Sequence, residues 1–180
     1  MTTQNPKTQR VLIPEDRLQA RIAELGKQIE RDYADTEKLI AIGVLNGSVF
    51  FMVDLLKHLQ KVPVTVDFFQ TSSYGDSTEP GEVRIKKDVD VSIRGADVLL
   101  IEDIVDTGYT LRTILDLLRF RGARSVKLCA LLDKTARRKA EVPIDYCGFE
   151  IEDHFVIGYG LDHAGFYRNL PYIGIYEGDS

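Results

Sequence analysis

Three carboxylates and two threonines fall between Glu102 and Thr110, in the segment Val98-Leu-Leu-Ile-Glu-Asp-Ile-Val-Asp-Thr-Gly-Tyr-Thr-Leu111. Read physically, the segment is a buried strand, a carboxylate pair, a tight turn and a helix start. Thr107, Gly108, Tyr109 and Thr110 would then present free backbone N–H groups at a helix N-terminus. Such donors, with the helix dipole, suit a phosphate. The hydroxyls of Thr107 and Thr110 add donors, and Gly108 lets the backbone approach an anion closely. An Asp cap on a purely structural helix uses the same residue types, so the turn alone leaves both readings open. Glu102 and Asp103 tip the balance. Acids beside an anion site are electrostatically wrong unless a sugar hydroxyl or a metal ion stands between, so the pair points to ribose hydroxyls and Mg²⁺.

The elements that must hold this turn follow from the hydrophobic spacing. From Pro14, Leu18, Ile22, Leu25 and Ile29 repeat every three or four residues, one face of an amphipathic helix. Lys38 to Leu45 is an almost wholly apolar run, the pattern of a strand buried on both faces. Asn46-Gly47-Ser48 breaks it, and a second helix is expected over Val49 to Leu59. Val62 to Phe69 reads as a strand. Thr71 to Gly81 has loop composition and is long for a compact domain, which suggests a functional lid. Val83 to Asp88 alternates apolar and charged residues as a half-exposed strand would. Asp97 to Ile101 is a buried strand that ends in Glu102-Asp103. A helix follows with Leu111, Ile114, Leu115 and Leu118, closed by Arg119, Arg121 and Gly122. Val126 to Leu132 is a further buried strand, and short strand-like runs continue from Ile144 to Tyr176. Buried runs alternating with helices predict an α/β fold, a mainly parallel central sheet flanked by helices. One domain over residues 1–180 is expected, with a loose tail at 1–10, a mobile loop at about 71–83 and a small hood largely from the C-terminal segment.

The composition narrows the function class. The chain has 180 residues, 44% hydrophobic and 28% charged, with a formal net charge of −5. No broad basic field is available for coating a nucleic acid. The most apolar stretch, Leu39 to Leu59, is interrupted by Asn46, Asp54 and Lys57, so no transmembrane helix is expected. Met1 to Arg10 lacks the apolar core of a signal peptide. Cys129 and Cys147 sit in expected strands without metal or redox spacing, which fits the cytoplasm.

The segment around Glu102-Asp-Ile-Val-Asp-Thr-Gly108 resembles the phosphoribosyl pyrophosphate (PRPP) motif of type I phosphoribosyltransferases, most closely in its hypoxanthine-guanine form. The resemblance runs from about Val11 to Tyr176. It includes Gly43-Val-Leu-Asn-Gly-Ser48, Ser72-Ser-Tyr-Gly75, Leu131-Leu-Asp-Lys134 and Phe155-Val-Ile-Gly-Tyr-Gly-Leu-Asp162. It implies that the backbone of Leu45, Asn46 and Gly47 binds pyrophosphate, with a cis peptide before Asn46. The family often carries Lys or Arg at that position. Arg168 is implied as a pyrophosphate contact, and Ser73 and Tyr74 as parts of the lid. Lys134 is implied to donate to the purine O6, Phe155 to stack on the ring and the Val156 backbone to read its edge. Asp162 is implied as a ligand of a second Mg²⁺, beside the one suggested by Glu102 and Asp103. An ammonium has only donors, so it matches a 6-oxo group and mismatches a 6-amino group. Judged without the resemblance, Lys134 reads as a snorkelling surface residue, Phe155 as core and Asn46-Gly47 as an ordinary turn.

The implied reaction is Mg²⁺-dependent transfer of phosphoribosyl from PRPP to hypoxanthine, and to guanine, giving IMP or GMP for purine salvage. Asp106 is implied as general base at N7 of the purine. The family is usually dimeric or tetrameric, so a homodimer or homotetramer is expected, with small-molecule substrates and neither nucleic acid nor membrane as partner. Two alternatives stand beside this: a non-catalytic PRPP-binding regulator of nucleic acid, and a xanthine phosphoribosyltransferase.

Overall fold

The computed structural model describes residues 8–73 and 83–178. A six-stranded sheet runs β4-β3-β2-β5-β6-β7. It is built from β2 (Leu39–Leu45), β3 (Val64–Ser73), β4 (Val83–Lys87), β5 (Asp97–Val105), β6 (Ser125–Asp133) and β7 (Tyr146–Glu150). All pairings are parallel except that of β4, which runs antiparallel to β3 at one edge. The helices are α1 (Glu15–Asp32), α2 (Val49–Leu56) and α3 (Tyr109–Phe120). A second, three-stranded antiparallel sheet, order β1-β9-β8, forms a hood from β1 (Thr8–Ile13), β8 (Val156–Ile157) and β9 (Ile173–Tyr176).

The apolar runs exist because each central strand is covered on both faces. Leu39 and Ala41 of β2, Leu99 and Ile101 of β5, and Cys129 and Leu131 of β6 join one core with α1 and α2. The alternate residues Ile40 and Ile42, Val98 and Leu100, and Leu128 and Ala130 join a second core under α3. Leu18, Ile22, Leu25 and Ile29 are the buried stripe of α1, as their spacing predicts.

Three strand boundaries differ from the sequence reading, and α2 ends at Leu56 where Leu59 was expected. β5 does not stop at Ile101 but continues to Val105, because Glu102, Ile104 and Val105 keep pairing with β6. β3 runs on to Ser73, its last residues held by β4 alone, so the ends of the loop expected at about 71–83 are strand. The expected lid residue Tyr74 lies outside the described residues. Thr8 to Arg10, expected in a loose tail, are paired with β9, so the hood takes one of its three strands from the N-terminus.

β5 is anchored at its start by Asp97. Its carboxylate accepts from Arg124 Nε at 3.0 Å, Ser125 Oγ at 2.7 Å and Thr36 Oγ1 at 3.1 Å. The Arg124 guanidinium beside it, with these hydroxyls, outweighs the effect of burial and holds the Asp97 carboxyl down to about 2, against an ordinary 3.8. The folded value lies below the unfolded one. The stabilisation is therefore full above the unfolded value and disappears as the pH falls through the folded one. Asp97→Asn is expected to lower stability at neutral pH by about 1 kcal/mol, less than the full shift would give because the Arg124 partner is exposed and screened by solvent. Urea unfolding should show the gap to the parent chain narrowing below about pH 4 and closing near pH ~2.

Candidate active site

The strand order fixes where a ligand can enter. From β2 the chain leaves through α2 to β3 on one side, and from β5 through α3 to β6 on the other. The order reverses between β2 and β5. Open α/β sheets bind ligands in the crevice beyond the strand ends at such a switch point. Both expected phosphate-binding turns lie there, Leu45-Asn46-Gly47 after β2 and Asp106 to Thr110 after β5.

The Leu45–Asn46 peptide bond is cis, and Gly47 is packed against Asp103. A Cβ on Gly47 would lie 1.6 Å from Asp103 Oδ2, so no larger residue fits without displacing that carboxylate. Across the crevice, Gly108 caps α3 with φ of 89°. A Cβ there would come within 2.8 Å of the Ala140 carbonyl oxygen. Position 108 therefore requires glycine for its left-handed φ and for the close neighbour. The turn is braced from behind: the amides of Lys139 and Ala140 both donate to the Thr107 carbonyl, at 2.9 and 3.0 Å. This leaves the first amides of α3 facing a cleft of about 240 Å³ lined by Leu45, Glu102, Ile104, Asp106, Thr107 and Thr110. Tyr109 begins α3 with its ring exposed.

A second cleft, of about 290 Å³, lies on the other side of Asp106 and is lined by Asp103, Lys134, Arg137, Phe155, Val156 and Asp162. The two share Ile104 and Asp106. Lys134 is 6% exposed, a buried ammonium and not a surface one, with Nζ 3.6 Å from Asp153 Oδ1. Its amide donates to the Val105 carbonyl at 3.0 Å, which fixes it beside the end of β5. Phe155, which base rates alone would put in the core, is 52% exposed. Its ring meets His163 and Tyr176 edge-on at centroid distances of 5.5 and 5.8 Å, which leaves it available to a ligand. Val156 is buried in β8.

Burial pushes the Glu102 carboxyl well above its ordinary range, and the neighbouring Asp103 charge adds to the rise. Burial raises Asp103 as well. Among the described residues, Glu102 Oε2 is buried without a hydrogen-bond partner. An orphaned carboxylate oxygen beside a second carboxylate fits a hard cation. Mg²⁺ commonly takes one or two protein carboxylates and completes its shell with water and substrate phosphates. Among the described residues no three His, Cys, Asp or Glu side chains form a cage of their own, so the remaining ligands would come from substrate and solvent. Asp162 lines the same cleft as Asp103, but its Oδ1 is held by Arg168 Nη2 at 2.6 Å and its Oδ2 accepts from the Gly165 amide at 2.8 Å. Arg168 also donates through Nη1 to the Gly160 carbonyl.

Arg137 is a site residue that the sequence reading missed. Its Nε lies 3.2 Å from Asp106 Oδ1 and its Nη1 3.8 Å from Asp153 Oδ1. Lys134 caps the 3₁₀ turn Thr135–Arg137. In such a turn residues three apart eclipse, so the spacing could have placed Arg137 near Lys134, but nothing in the sequence places it beside Asp106.

Comparison with known proteins agrees with this geometry. Residues 8–164 match the phosphoribosyl transferase domain family. The chain is 51% identical over 168 residues to the hypoxanthine-guanine phosphoribosyltransferase of Bacillus subtilis, covering 93% of this chain and 92% of that one. It is 48% identical over 169 residues to the hypoxanthine phosphoribosyltransferase of Salmonella typhimurium, covering 93% and 94%. A crystal structure of a hypoxanthine phosphoribosyltransferase from Staphylococcus aureus superposes with a TM-score of 0.91 at 44% identity, covering 97% of this chain and 94% of that one. With the switch-point crevice, the two clefts and these matches together, the chain belongs to the phosphoribosyltransferase family, in its hypoxanthine phosphoribosyltransferase branch.

Proposed function

We propose that this chain transfers the 5-phosphoribosyl group of PRPP to N9 of hypoxanthine, and of guanine, with release of pyrophosphate. The observation that carries the reading is the meeting of two clefts at Asp106, one floored by a helix N-terminus and the other by a buried lysine. The 5′-phosphate sits on the amides and hydroxyls of Thr107 to Thr110, and the pyrophosphate on the Leu45–Gly47 turn with Arg168 near it. The purine lies between Phe155 and the Asp106 side, its O6 on Lys134 and its edge on the Val156 backbone. Asp106 takes the proton from N7 as N9 forms its bond to C1′ and the bond from C1′ to the pyrophosphate oxygen breaks. Glu102 and Asp103 would hold one Mg²⁺, and Asp162, once released by Arg168, a second; when bound these ions would neutralise charge on the leaving pyrophosphate.

Among the described residues no helix is long and apolar enough to cross a membrane. Cys129 and Cys147 are free thiols, which supports a cytoplasmic enzyme. Phe50 and Val53 leave an apolar face of α2 exposed, which supports a homodimer or homotetramer.

The test is nucleotide formation from PRPP and Mg²⁺ with hypoxanthine, guanine, xanthine, adenine or uracil, each with and without EDTA. Product from hypoxanthine and guanine, abolished by the chelator, is expected. Product from xanthine in preference to both would shift the specificity assignment, and product from none of the five would favour a PRPP-binding regulator. Within the same assay, Gly47→Ala is expected to lower kcat/KM for PRPP by about 10²-fold, the cost of displacing a reacting group by about 1 Å.

A further inference from the structure

Tyr159 lies in a turn whose backbone has almost no freedom. Gly158, Tyr159 and Gly160 have φ of 95°, 49° and 100°, three successive residues in the left-handed region that non-glycine residues seldom enter. A Cβ on Gly158 would stand 2.1 Å from the Tyr172 carbonyl oxygen, and one on Gly160 2.0 Å from the Gly47 carbonyl oxygen. The turn is wedged between the hood and the Asn46-Gly47 turn, and of these three positions only Tyr159 carries a side chain out of it. That side chain is 4% exposed and reaches α2. Its hydroxyl donates to Asp54 Oδ2 at 2.6 Å, and Gln19 of α1 donates to the same oxygen at 3.0 Å. The Phe50 ring packs beside it at a centroid distance of 6.3 Å.

We propose that Tyr159 and Asp54 form a positioning pair for the transfer reaction: their hydrogen bond holds the Gly158–Asp162 turn against α2 and so sets the spacing between the pyrophosphate and purine subsites. The inference rests on the subsites assigned above. α2 follows directly on the Asn46-Gly47 turn, so a tie from the hood to α2 is a tie across the active site. Gly160 touches Gly47, and Gly47 touches Asp103. On the other side the Gly160 carbonyl accepts from Arg168, which holds Asp162. The backbone of the turn is tied to its own hood segment, the amides of Tyr159 and Gly160 donating to the Leu170 and Arg168 carbonyls at 2.8 and 2.9 Å, so release of the phenol would free the turn as a unit to shift away from α2 and Gly47. Neither Tyr159 nor Asp54 lines either cleft, so the pair acts through the turn and not by contact with substrate.

Steady-state kinetics with PRPP and hypoxanthine varied in turn, together with thermal melts, test this on the parent chain, Tyr159→Phe, Asp54→Ala, Asp54→Asn and the double variant Tyr159→Phe/Asp54→Ala. Each of Tyr159→Phe and Asp54→Ala is expected to raise KM for PRPP about tenfold with a smaller change in kcat, the scale of one net hydrogen bond to a charged group. The double variant is expected to be no worse than the poorer single one, because both remove the same contact. Asp54→Asn keeps an acceptor oxygen for the phenol and should stay within about threefold of the parent chain. Lower melting temperatures with unchanged KM and kcat in both single variants would make the contact merely stabilising and overturn the proposal, as would effects that multiply in the double variant. A parent chain that makes no nucleotide would instead sink the site assignment; an active parent chain beside an unaltered Tyr159→Phe sinks the positioning pair alone.

Discussion

Asp106→Asn is expected to lower kcat for nucleotide formation by about 10²- to 10⁴-fold, the range a positioned general base supplies, with PRPP binding close to that of the parent chain. The substitution keeps the shape of the side chain and removes its basicity. The backbone of the turn does not depend on the carboxylate. Arg138 Nε donates to the Asp106 carbonyl at 3.3 Å, and Arg138 is itself held by Asp133 and by the Val142 carbonyl. The amides that follow therefore keep their orientation into the cleft proposed for the phosphate. Asp106 Oδ1 has no hydrogen-bond donor among the described residues, although Arg137 Nε is 3.2 Å away. It is an acceptor ion-paired to Arg137 but without a hydrogen bond, at the junction of the two clefts, where a proton leaving N7 would need one. Single-turnover kinetics beside calorimetric titration with PRPP separate chemistry from binding. Near-parental turnover in Asp106→Asn would remove the general base from the mechanism.

The sequence carried the scaffold further than it carried the contacts. The α1 stripe and the apolar runs of β2, β5 and β6 were legible because local periodicity and two-sided burial leave a direct mark on residue type. The misjudged strand ends have different causes. Glu102 and Asp103 read as a break in β5, because two successive acids are a pattern that a purely structural buried strand would not carry, yet they sit inside the strand. Pairing of Thr8 to Arg10 with β9 is a contact between chain ends, and no local window contains it. The candidate residues of the Asp106 to Thr110 turn could be set on one strand–turn–helix junction from spacing alone, because strand, turn and helix are contiguous. Arg137 could not, because its relation to Asp106 depends on how the segment after β6 folds back beside the turn after β5. Nor could the depth of Lys134, which the local sequence presents as a strand-end lysine.

That depth sets up the second large effect. A lysine 6% exposed is a cost to folding, because a buried charge loses its hydration and one acid 3.6 Å away at Asp153 returns only part of it. Lys134→Met replaces the charge with an apolar chain of similar length, so stability is expected to hold or rise. Activity should move the other way. Hypoxanthine entering the cleft brings an O6 that loses its water, and in the variant it meets no donor. A site built around such a hydrogen bond loses discrimination by factors approaching ~10⁴ when the partner is missing, so kcat/KM for hypoxanthine is expected to fall by ~10²- to 10⁴-fold. Adenine, with a 6-amino group that the ammonium repels, should gain relative to hypoxanthine. The pair of measurements is a melt and a competition assay with both bases. A destabilised variant that kept the hypoxanthine-to-adenine ratio would mean that Lys134 is structural. A stable variant with a collapsed ratio would mean that the fold carries the buried charge for the sake of the base.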